Sequence, residues 1–329
     1  MWTFMKMRMS EPWADHEAQA SEVPRVTPDR ARLMNAQGTQ VTWLGHSAFL
    51  FQRAGVNLLT DPVFSERASP VSFAGPKRYT ALPLKASELP KIHAVIISHN
   101  HYDHLDVDTI SALDQRDAPL WFVPLRNGEL LTDEGVDPAR VVELDWWQQH
   151  KVTLPVLDQE DTREGVEVSF TSTPAQHWSA RGLFDRYEML WGSWVVEVKG
   201  LRLFFAGDTG FQERLFQDIG ERAGPFDLGL IPIGAYAPRD FMKTMHINPE
   251  EAVKVHQLIG AKRSVGMHWG TFPLTSEPVI EPQTKLREAS DAAGLPDQTF
   301  TTLALGETLT LDEPVKASIN PSSSRSAEP

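Results

Sequence analysis

A short strand pattern that runs directly into a cluster of metal-ligand side chains is the feature that most constrains this chain. Residues 93–98 are apolar and β-branched, which is typical of a strand buried on both faces. The next six residues, 99–104, contain His99, His101, Asp103 and His104. These groups cannot all share one face of a strand or helix, whereas a loop can curl them around a common point. Because functional residues usually lie on loops held by a rigid scaffold, we predict a metal site here.

The spacing within residues 99–104 divides the motif between two sites. His99 and His101 share one direction, while Asp103 and His104 face a second site. Imidazole nitrogen and carboxylate oxygen bind borderline metals such as zinc at about 2.0–2.2 Å. The chain has no cysteine, so the ligands must be His, Asp or Glu. A solvated histidine-rich loop is the weaker interpretation, because this loop follows a buried strand.

Two metal sites need more ligands than one loop provides, and three residues elsewhere follow apolar strands in the same way. They are His177, Asp208 and His268. Asp208 lies in a Gly-Asp-Thr-Gly segment, whose glycines allow close backbone approach. A single His or Asp after a strand is more often a cap or turn residue. As a set that completes two incomplete sites, however, the three predict one shared metal centre.

Two further histidines have predicted roles near this centre. His246 lies in a loop just before a helix start, facing the region where the strand ends gather, and we predict a substrate or proton role for it. For His46 the sequence leaves two interpretations open, support of the site from behind the ligands or packing. The remaining histidines are predicted to be structural or solvent-exposed: His16, His93, His150 and His256.

The hydrophobic periodicity predicts an α+β fold with two mixed β-sheets packed together and helices outside. Strands are predicted at residues 40–51, 56–60, 93–98, 166–172, 191–198, 201–206, 228–233, 264–267 and 299–305, with a turn at Gly55. One helix is predicted from the cap Asn248, through Pro249 and Glu251, to about residue 259, and another at residues 283–293. We predict a partly disordered arm at residues 1–38, one domain at residues 39–314 and a disordered tail at residues 315–329.

The composition limits the cellular location and the binding partners that we expect for this chain. The net charge of −13 repels polyanions, and since no run of Lys or Arg offsets it, no nucleic-acid partner is expected. No stretch approaches the roughly 20 apolar residues of a membrane-spanning helix. Residues 1–10 lack the apolar length and cleavage site of a signal peptide. We therefore expect a cytoplasmic protein, peripheral at the inner face of a membrane if it acts on lipid, and not a secreted one.

The motif at residues 99–104 resembles the His-x-His-x-Asp-His signature of the metallo-β-lactamase superfamily. Longer stretches resemble one family within it, the N-acylphosphatidylethanolamine-hydrolysing phospholipases D. The likeness covers roughly residues 40–312. Its most specific segments are residues 61–70, 75–78, 143–147, 191–194, 206–210, 224–227, 231–236, 249–253 and 268–272.

The resemblance implies an αβ/βα sandwich that holds two zinc ions at one edge. One zinc takes His99, His101 and His177, the other takes Asp103, His104 and His268, and Asp208 bridges them. Asp61 resembles the superfamily's buried aspartate that braces the metal loop. Tyr102 and His246 match family positions that contact the bound phospholipid, and the family also implies a homodimer. Zinc is favoured by the donor set, although iron or manganese fits the same positions.

The sequence departs from the family pattern in two places. Residues 154–165 look like an insertion before the strand that leads to His177. After His177 and Trp178 the chain reads Ser-Ala-Arg-Gly, without the Lys-Arg pair that the mammalian enzyme carries near its bile-acid pocket. Bile-acid regulation is therefore not expected.

These features together predict a dinuclear zinc phosphodiesterase that hydrolyses N-acylphosphatidylethanolamine to N-acylethanolamine and phosphatidic acid. Asp103, Asp208 and His246 are the predicted catalytic residues, and Tyr102 and His246 the predicted substrate contacts. One alternative is a metal-dependent lactonase or other ester or amide hydrolase on the same fold. Another is a protein that binds metal without turnover. A phospholipid substrate implies peripheral membrane contact, with a predicted apolar rim at Trp178, Leu183, Phe184, Trp191 and Phe241.

Overall fold

Two β-sheets form the core of the computed structural model, which describes residues 13–157 and 163–311. The strands of the first sheet are β1 (Thr39–Gly45), β2 (Ala48–Arg53), β3 (Val56–Thr60), β4 (Ala94–Ile96), β5 (Leu120–Pro124), β6 (Val141–Leu144) and β14 (Thr308–Thr310). Their order across the sheet is β14-β1-β2-β3-β4-β5-β6. Strands β3 to β6 are parallel, while β14, β1, β2 and β3 pair antiparallel. The sheet is therefore mixed.

The second sheet has the same mixed character. Its strands are β7 (Gln149–Leu157), β8 (Arg163–Thr173), β9 (Ser193–Val198), β10 (Leu201–Phe205), β11 (Phe226–Pro232), β12 (Ala261–Met267) and β13 (Phe300–Thr301). Their order is β13-β12-β11-β10-β9-β8-β7. The pairs from β10 to β13 are parallel, and those from β7 to β10 are antiparallel.

Two short α-helices precede the first strand, the other α-helices lie between strands in sequence, and several helices pack against one another. The α-helices are α1 (His16–Gln19), α2 (Arg30–Met34), α3 (Val107–Asp117), α4 (Gly128–Asp133), α5 (Glu213–Ala223), α6 (Arg239–Met242), α7 (Pro249–Leu258) and α8 (Glu281–Ala292). The predicted cap of α7 is confirmed, since the Asn248 side chain accepts from the NH of Glu251 at 2.9 Å and the Glu251 carboxylate accepts from the NH of Asn248 at 3.1 Å. None of the helices in the described residues is both long and apolar enough to cross a membrane.

The main core lies between the two sheets. Phe122 of the first sheet stacks on Phe170 of the second, with ring centroids 3.7 Å apart, and both are fully buried. The indole NH of Trp194, on β9, donates to the carbonyl oxygen of Ile97 at 2.8 Å. This bond ties the second sheet to the chain that leaves β4. The contacts confirm the predicted sandwich and fix the position of the two sheets beside the loop at residues 99–104.

The structure corrects several predicted strands. Residues 40–51 are two antiparallel strands, not one, because Gly45 and His46 adopt positive φ angles of 109° and 53° and reverse the chain. The segment at residues 299–305 forms only the two-residue strand β13. Strands β5, β6, β7 and β14 were not predicted. Of these, β6 and β14 are only partly buried and β7 carries polar residues, as edge strands do, so their apolar signal is weak.

The predicted insertion at residues 154–165 is largely part of a hairpin. Leu154 of β7 pairs with Val166 of β8, and the pairing extends to the last described residues on each side. Residues 158–162 of this segment lie outside the described part of the chain. The described residues of this segment therefore form the ends of two neighbouring strands, and its origin as an insertion stays a prediction.

The predicted arm packs on the domain where the structure describes it. Arg25 forms a bridge with Leu305, the NH of Leu305 donates to the carbonyl of Pro24 at 2.7 Å, and Val23 and Leu33 are buried. The predicted disorder at residues 1–12 and in the tail at residues 315–329 lies outside the described residues. The domain boundaries at residues 38 and 314 stay predictions.

Candidate metal centre

The loop at residues 99–104 follows β4, a central strand, and lies where the carboxyl ends of the parallel strands of the first sheet meet. Strand β4 is short and fully buried. The backbone NH groups of His104 and Leu105 both donate to the carbonyl oxygen of His101, at 3.0 and 2.8 Å. The resulting turn replaces the two-sided alternation of a strand, so that neighbouring side chains reach a common centre.

Three more predicted residues reach this centre from the second sheet. His177 follows β8, Asp208 follows β10 and His268 follows β12. These strands run in the same direction, because β9 is antiparallel to both β8 and β10 while β10, β11 and β12 are parallel. Their carboxyl ends therefore meet at one edge. The packing of the sheets brings that edge to the loop, so the centre is assembled from both sheets.

Three histidines form a first cluster of nitrogen donors. His101 Nδ1 lies 2.8 Å from His99 Nε2 and 3.3 Å from His177 Nε2. The rings of His99 and His177 are buried. His101 thus presents its Nδ1 atom to the cluster, while the other two histidines present Nε2. The predicted division of the motif places His99 and His101 together, and the structure has the same arrangement.

A second cluster combines two nitrogens with a carboxylate. His104 Nε2 and His268 Nε2 are 3.2 Å apart. Asp103 Oδ2 lies 3.3 Å from His104 Nε2 and 3.4 Å from His268 Nε2. The donor atoms of this cluster lie within 4.8 Å of one another, together with a nitrogen of His46.

Asp208 lies between the two clusters. Its Oδ2 atom is 3.2 Å from His104 Nε2 and 3.1 Å from His268 Nε2. The same atom is 3.9 Å from His99 Nε2 and 3.8 Å from His177 Nε2. Its Oδ1 atom is buried and has no hydrogen-bond partner among the described residues. A carboxylate in this position can share two cations.

The close approach of Asp208 depends on the glycine before it. Gly207 has a φ angle of 59°, and a Cβ atom there would lie 2.6 Å from the Cβ of Ser98. A larger residue would therefore push the strand end away from the loop. This is a physical reason for glycine in the Gly-Asp-Thr-Gly segment.

Hydrogen bonds on the outer side of the rings orient the donor nitrogens. His104 Nδ1 donates to Asp61 Oδ2 at 2.6 Å, and His177 Nδ1 donates to the carbonyl oxygen of Met245 at 2.9 Å. His99 Nδ1 lies 2.8 Å from the Ser98 hydroxyl. A proton held on Nδ1 leaves the Nε2 lone pair directed at the cluster, which is the orientation that metal-binding histidines require.

Asp61 organises the start of the loop as well as His104. It follows β3, and its carboxylate accepts from the NH of Ser98 at 2.7 Å and from the Ser98 hydroxyl at 2.5 Å. The side chain is fully buried. The structure therefore places Asp61 behind the loop, where the resemblance implies a bracing aspartate.

His46 contacts both parts of the second cluster. Its Nε2 atom donates to Asp103 Oδ2 at 2.9 Å, and its backbone carbonyl accepts from the NH of His268 at 3.1 Å. Its backbone NH donates to the Thr271 hydroxyl at 2.7 Å. Of the two interpretations that the sequence leaves open, the geometry favours support of the site, and this role stays a proposal.

The two predicted substrate contacts differ in their surroundings. His246 Nδ1 is buried 3.8 Å from Asp208 Oδ2 and has no hydrogen-bond partner among the described residues. It can therefore bind a group that enters the centre. Tyr102 is half-buried, and its hydroxyl donates to the carbonyl oxygen of Arg181 at 2.8 Å. The hydroxyl of Tyr102 is thus already engaged, and its substrate role stays a prediction.

The two clusters differ in the pKa shifts of their histidines. Burial lowers the pKa of His101 to about 3 and that of His177 to about 4, so both imidazoles are neutral and able to donate a lone pair. Burial opposes ionisation of Asp208, but His104 and His268 overcome it and hold the pKa of Asp208 well below its usual range. Conversely, burial opposes a charge on His268, but Asp208 and Asp103 raise the pKa of His268 to about 9. The buried carboxylates therefore demand positive charge, as protons or as metal ions.

The residues fit a dinuclear metal centre. Two ligand atoms about 2.0–2.1 Å from one ion at a tetrahedral angle lie about 3.4 Å apart. Within each cluster the neighbouring donor atoms are separated by 2.8 to 3.4 Å. Nitrogen and oxygen donors without sulfur suit zinc, iron or manganese. The unpartnered Oδ1 of Asp208 adds a further buried donor.

Arg181 also supports the metal loop, a role that the sequence does not predict. The Arg181 guanidinium donates to the carbonyl oxygens of Asn100 and Leu105, at 2.9 and 2.8 Å, and lies over the Tyr102 ring, 4.0 Å from its centroid. It therefore holds both ends of the metal loop. The sequence shows only an arginine shortly after His177, and nothing in its pattern indicates these partners.

The chain is similar to known proteins over most of its length. A family model described as beta-lactamase superfamily domain matches residues 56–269. The N-acyl-phosphatidylethanolamine-hydrolyzing phospholipase D 1 of Caenorhabditis elegans is 44% identical over 276 residues, which are 82% of this chain and 75% of that protein. The mitochondrial N-acyl-phosphatidylethanolamine-hydrolyzing phospholipase D of Saccharomyces cerevisiae is 38% identical over 261 residues, 79% of this chain and 53% of that protein.

The fold is also similar to that of a solved structure. The isothiocyanate hydrolase from Delia radicum gut bacteria superposes with a TM-score of 0.60 and is 20% identical in sequence. The match covers 82% of this chain and 98% of that protein. At this level of identity the likeness supports the fold and carries no argument about the substrate.

Proposed function

Because this chain belongs to the beta-lactamase superfamily and, within it, to the family of N-acyl-phosphatidylethanolamine-hydrolyzing phospholipases D, we propose that it is a dinuclear zinc phosphodiesterase. Its proposed reaction converts N-acylphosphatidylethanolamine to N-acylethanolamine and phosphatidic acid. The oxygen of water forms a bond to phosphorus, the bond from phosphorus to the N-acylethanolamine oxygen breaks, and that oxygen takes up a proton. The position of Asp208 between two donor clusters carries the proposal.

We assign the ligands of two zinc ions from the geometry of the clusters. His99, His101 and His177 would hold one ion, Asp103, His104 and His268 would hold the other, and Asp208 would be shared. When bound, a zinc pair lowers the pKa of a water molecule towards 7 and polarises phosphoryl oxygens. Iron or manganese would fit the same donors. The seven side chains include only two carboxylates, so a centre with two divalent ions carries net positive charge.

That local charge decides how a negative chain binds a negative substrate. The whole protein has a net charge of −13, which disfavours anions at long range. A phosphodiester within the centre is instead close to the ions and to buried imidazoles, where the lower dielectric strengthens attraction. The cationic centre therefore selects the phosphate of the headgroup.

We propose that His246 either binds a phosphate oxygen or protonates the leaving oxygen. Its Nδ1 atom is buried beside Asp208, 3.8 Å from Oδ2, and makes no hydrogen bond within the described residues. A ring nitrogen in this position can bind a phosphate oxygen or deliver a proton to the departing alkoxide. Tyr102 lies in the metal loop itself, and we propose that its ring borders the substrate.

The substrate sets the proposed surroundings of the protein. A phospholipid is held in a bilayer, so the enzyme needs peripheral contact with a membrane surface, at the cytoplasmic inner face in our proposal. We also propose a homodimer, which light scattering of the purified protein would test.

The proposal is tested with metal-replete protein of measured metal content. Incubation with N-acylphosphatidylethanolamine, followed by mass spectrometry, should show N-acylethanolamine and phosphatidic acid in equal amounts. A lactone panel assayed beside it tests the alternative hydrolase. Asp208→Asn should lose metal and activity together, whereas Asp114→Asn, in α3, should retain both. Turnover of lactones alone, or near-normal turnover by metal-bound Asp208→Asn, would overturn the assignment.

A further inference from the structure

The loop at residues 179–190 presents apolar side chains to solvent next to the metal centre. Among the described residues, Phe184 is the most exposed large apolar side chain, at 93%, and its neighbour Leu183 is 66% exposed. Tyr187 is 56% exposed. The loop begins directly after His177 and Trp178, and the Trp178 ring lies 4.4 Å from that of His101. The start of the loop therefore lies beside the metal centre.

The loop is held in one conformation by its own hydrogen bonds. The Asp185 carboxylate accepts from the backbone NH groups of Arg181 and Gly182, both at 2.8 Å. Further along, the NH of Tyr187 donates to the carbonyl oxygen of Ser179 at 2.9 Å. These bonds close a tight turn with Leu183 and Phe184 at its tip. The exposure of the tip is thus built into a fixed turn, and water is a poor environment for it.

The base of the loop is clamped to the metal loop. The Arg181 guanidinium binds the carbonyl oxygens of Asn100 and Leu105, and the Tyr102 hydroxyl binds the carbonyl oxygen of Arg181. The other end is fixed by Arg126, which donates to the carbonyl oxygen of Glu188 at 2.7 Å. The tip therefore has a fixed position relative to residues 99–104.

The charges of the loop identify the kind of surface that it fits. Residues 179–190 contain two arginines, one aspartate and one glutamate, so their formal charges cancel. Arg186 lies over the rings of Trp178 and Tyr187, 4.4 and 4.8 Å from their centroids. Since the loop is neutral and the whole chain is at −13, attraction to an anionic surface is not expected. An apolar tip framed by aromatic rings and a neutral charge fits the interface of a zwitterionic bilayer.

We propose that the loop at residues 179–190 docks the enzyme on a zwitterionic lipid surface, with Leu183 and Phe184 inserted among the lipid chains. The clamp at Arg181 then sets the metal loop at a fixed height above the headgroups. This inference rests on the proposed lipid substrate and names the element that reaches it.

Vesicle co-sedimentation of the full chain tests the docking element. Binding to phosphatidylcholine vesicles should be insensitive to salt, and the double variant Leu183→Ser/Phe184→Ser should bind about tenfold to hundredfold more weakly. Met34→Ser is the matched control. Met34 is 51% exposed but lines a groove with Lys91 and His93, at the edge of the sheet where β4 begins. Equal loss of binding in both variants, or binding that requires anionic lipid, would overturn the proposal.

A single-site label gives a second readout, because the chain has no cysteine. A nitroxide on Phe184→Cys should move about 5–10 Å below the headgroup boundary when vesicles are added. The same label on Met34→Cys should stay accessible to a water-soluble relaxation agent. A label at residue 184 that remains in water on vesicles to which the protein binds would assign docking to another surface.

Turnover separates failure of this inference from failure of the proposed function. A short-chain phosphodiester dissolved as monomers requires only the metal centre, so the tip variants should hydrolyse it at the normal rate. With substrate in vesicles, the same variants should show a raised apparent KM and an unchanged kcat. Normal kinetics on vesicles would refute the docking role while leaving the phosphodiesterase intact. If the unmodified protein hydrolyses no phosphodiester, the vesicle-binding and label experiments still decide the docking proposal.

Discussion

Asp61→Asn is the substitution that most directly tests how the chain prepares its metal ligands. Three donors converge on this carboxylate, namely the NH and hydroxyl of Ser98 and the Nδ1 proton of His104. The Oδ1 atom accepts from the NH of Ser98, and Oδ2 accepts from both the Ser98 hydroxyl and His104 Nδ1. An asparagine has only one oxygen, so it cannot accept at both positions. If its oxygen stays on the NH of Ser98, its amide NH2 faces His104 Nδ1. The ring must then move its proton to Nε2, the nitrogen that faces the cluster.

The magnitude follows from the bond that is lost. A hydrogen bond to a charged group contributes about 1.5–3 kcal/mol, and about 1.4 kcal/mol corresponds to a tenfold change in affinity. Asp61→Asn should therefore weaken metal binding about tenfold to hundredfold, the range typical of residues that orient metal ligands. The ion held by His104 should be affected more than the ion held by the His99 cluster.

Competition with a chelator, followed by elemental analysis, measures this effect. Asp114→Asn is the matched control, because Asp114 is also a carboxylate held by hydrogen bonds, to Trp121 and Arg140, but lies in α3. It should lower stability without changing metal affinity. Metal affinity of folded Asp61→Asn equal to that of the unmodified protein would refute the reasoning about tautomer and orientation.

Three further perturbations probe other parts of the structure. His46→Ala should reduce metal occupancy of the cluster that contains Asp103. His46→Gln should largely retain it, because the amide can replace the lost hydrogen-bond donor to Asp103. Equal metal content in both variants would contradict this role. Burial lowers the pKa of His256 to about 4, so unfolding takes up a proton between that value and the ordinary 6.5, and the stability from His256 is complete above pH 6.5 and lost as the pH falls towards 4. In denaturant titrations, the free energy of unfolding of His256→Gln should fall by about 1–3 kcal/mol less over this pH range than that of the unmodified protein. An equal pH dependence of the unfolding free energy in both proteins would count against a buried neutral imidazole. Phe170→Ala, which removes the ring stacked on Phe122, should cost about 3–5 kcal/mol of unfolding free energy in urea, and a cost below about 1 kcal/mol would mean that the two sheets repack easily.

The parts of the fold that the sequence predicts have strong local signals, although β5, which is equally apolar and buried, is not among them. The cap at Asn248 satisfies backbone groups within its own turn, so the start of α7 is visible without knowledge of the neighbours. The apolar run at residues 93–98 marks a strand buried by both layers. Edge strands such as β6 and β14 face solvent on one side and lose that contrast. The reversal at Gly45 and His46 depends on positive φ angles that hydrophobicity does not reveal.

The candidate site divides in the same way. His177, Asp208 and His268 were predictable because each follows an apolar strand, and strand ends of like direction meet at one edge of a sheet. The choice of Nδ1 at His101 was not predictable, since it depends on how the loop turns. Likewise, the bond of His46 to Asp103 and the clamp of Arg181 join residues that are 57 and 81 positions from their partners. Only the assembled sandwich brings them together.

The assembly of the centre from both sheets has a consequence for folding. His104 and His268 are 164 positions apart in the chain, yet their nitrogens are 3.2 Å apart. An ion shared by such residues acts as a cross-link that closes a long loop, and it binds only after the two layers have come together. Each tenfold of ion concentration above the dissociation constant then adds about 1.4 kcal/mol to the free energy of unfolding. Cations bound at this centre would therefore take part in hydrolysis and would also stabilise the packing of the two sheets against each other.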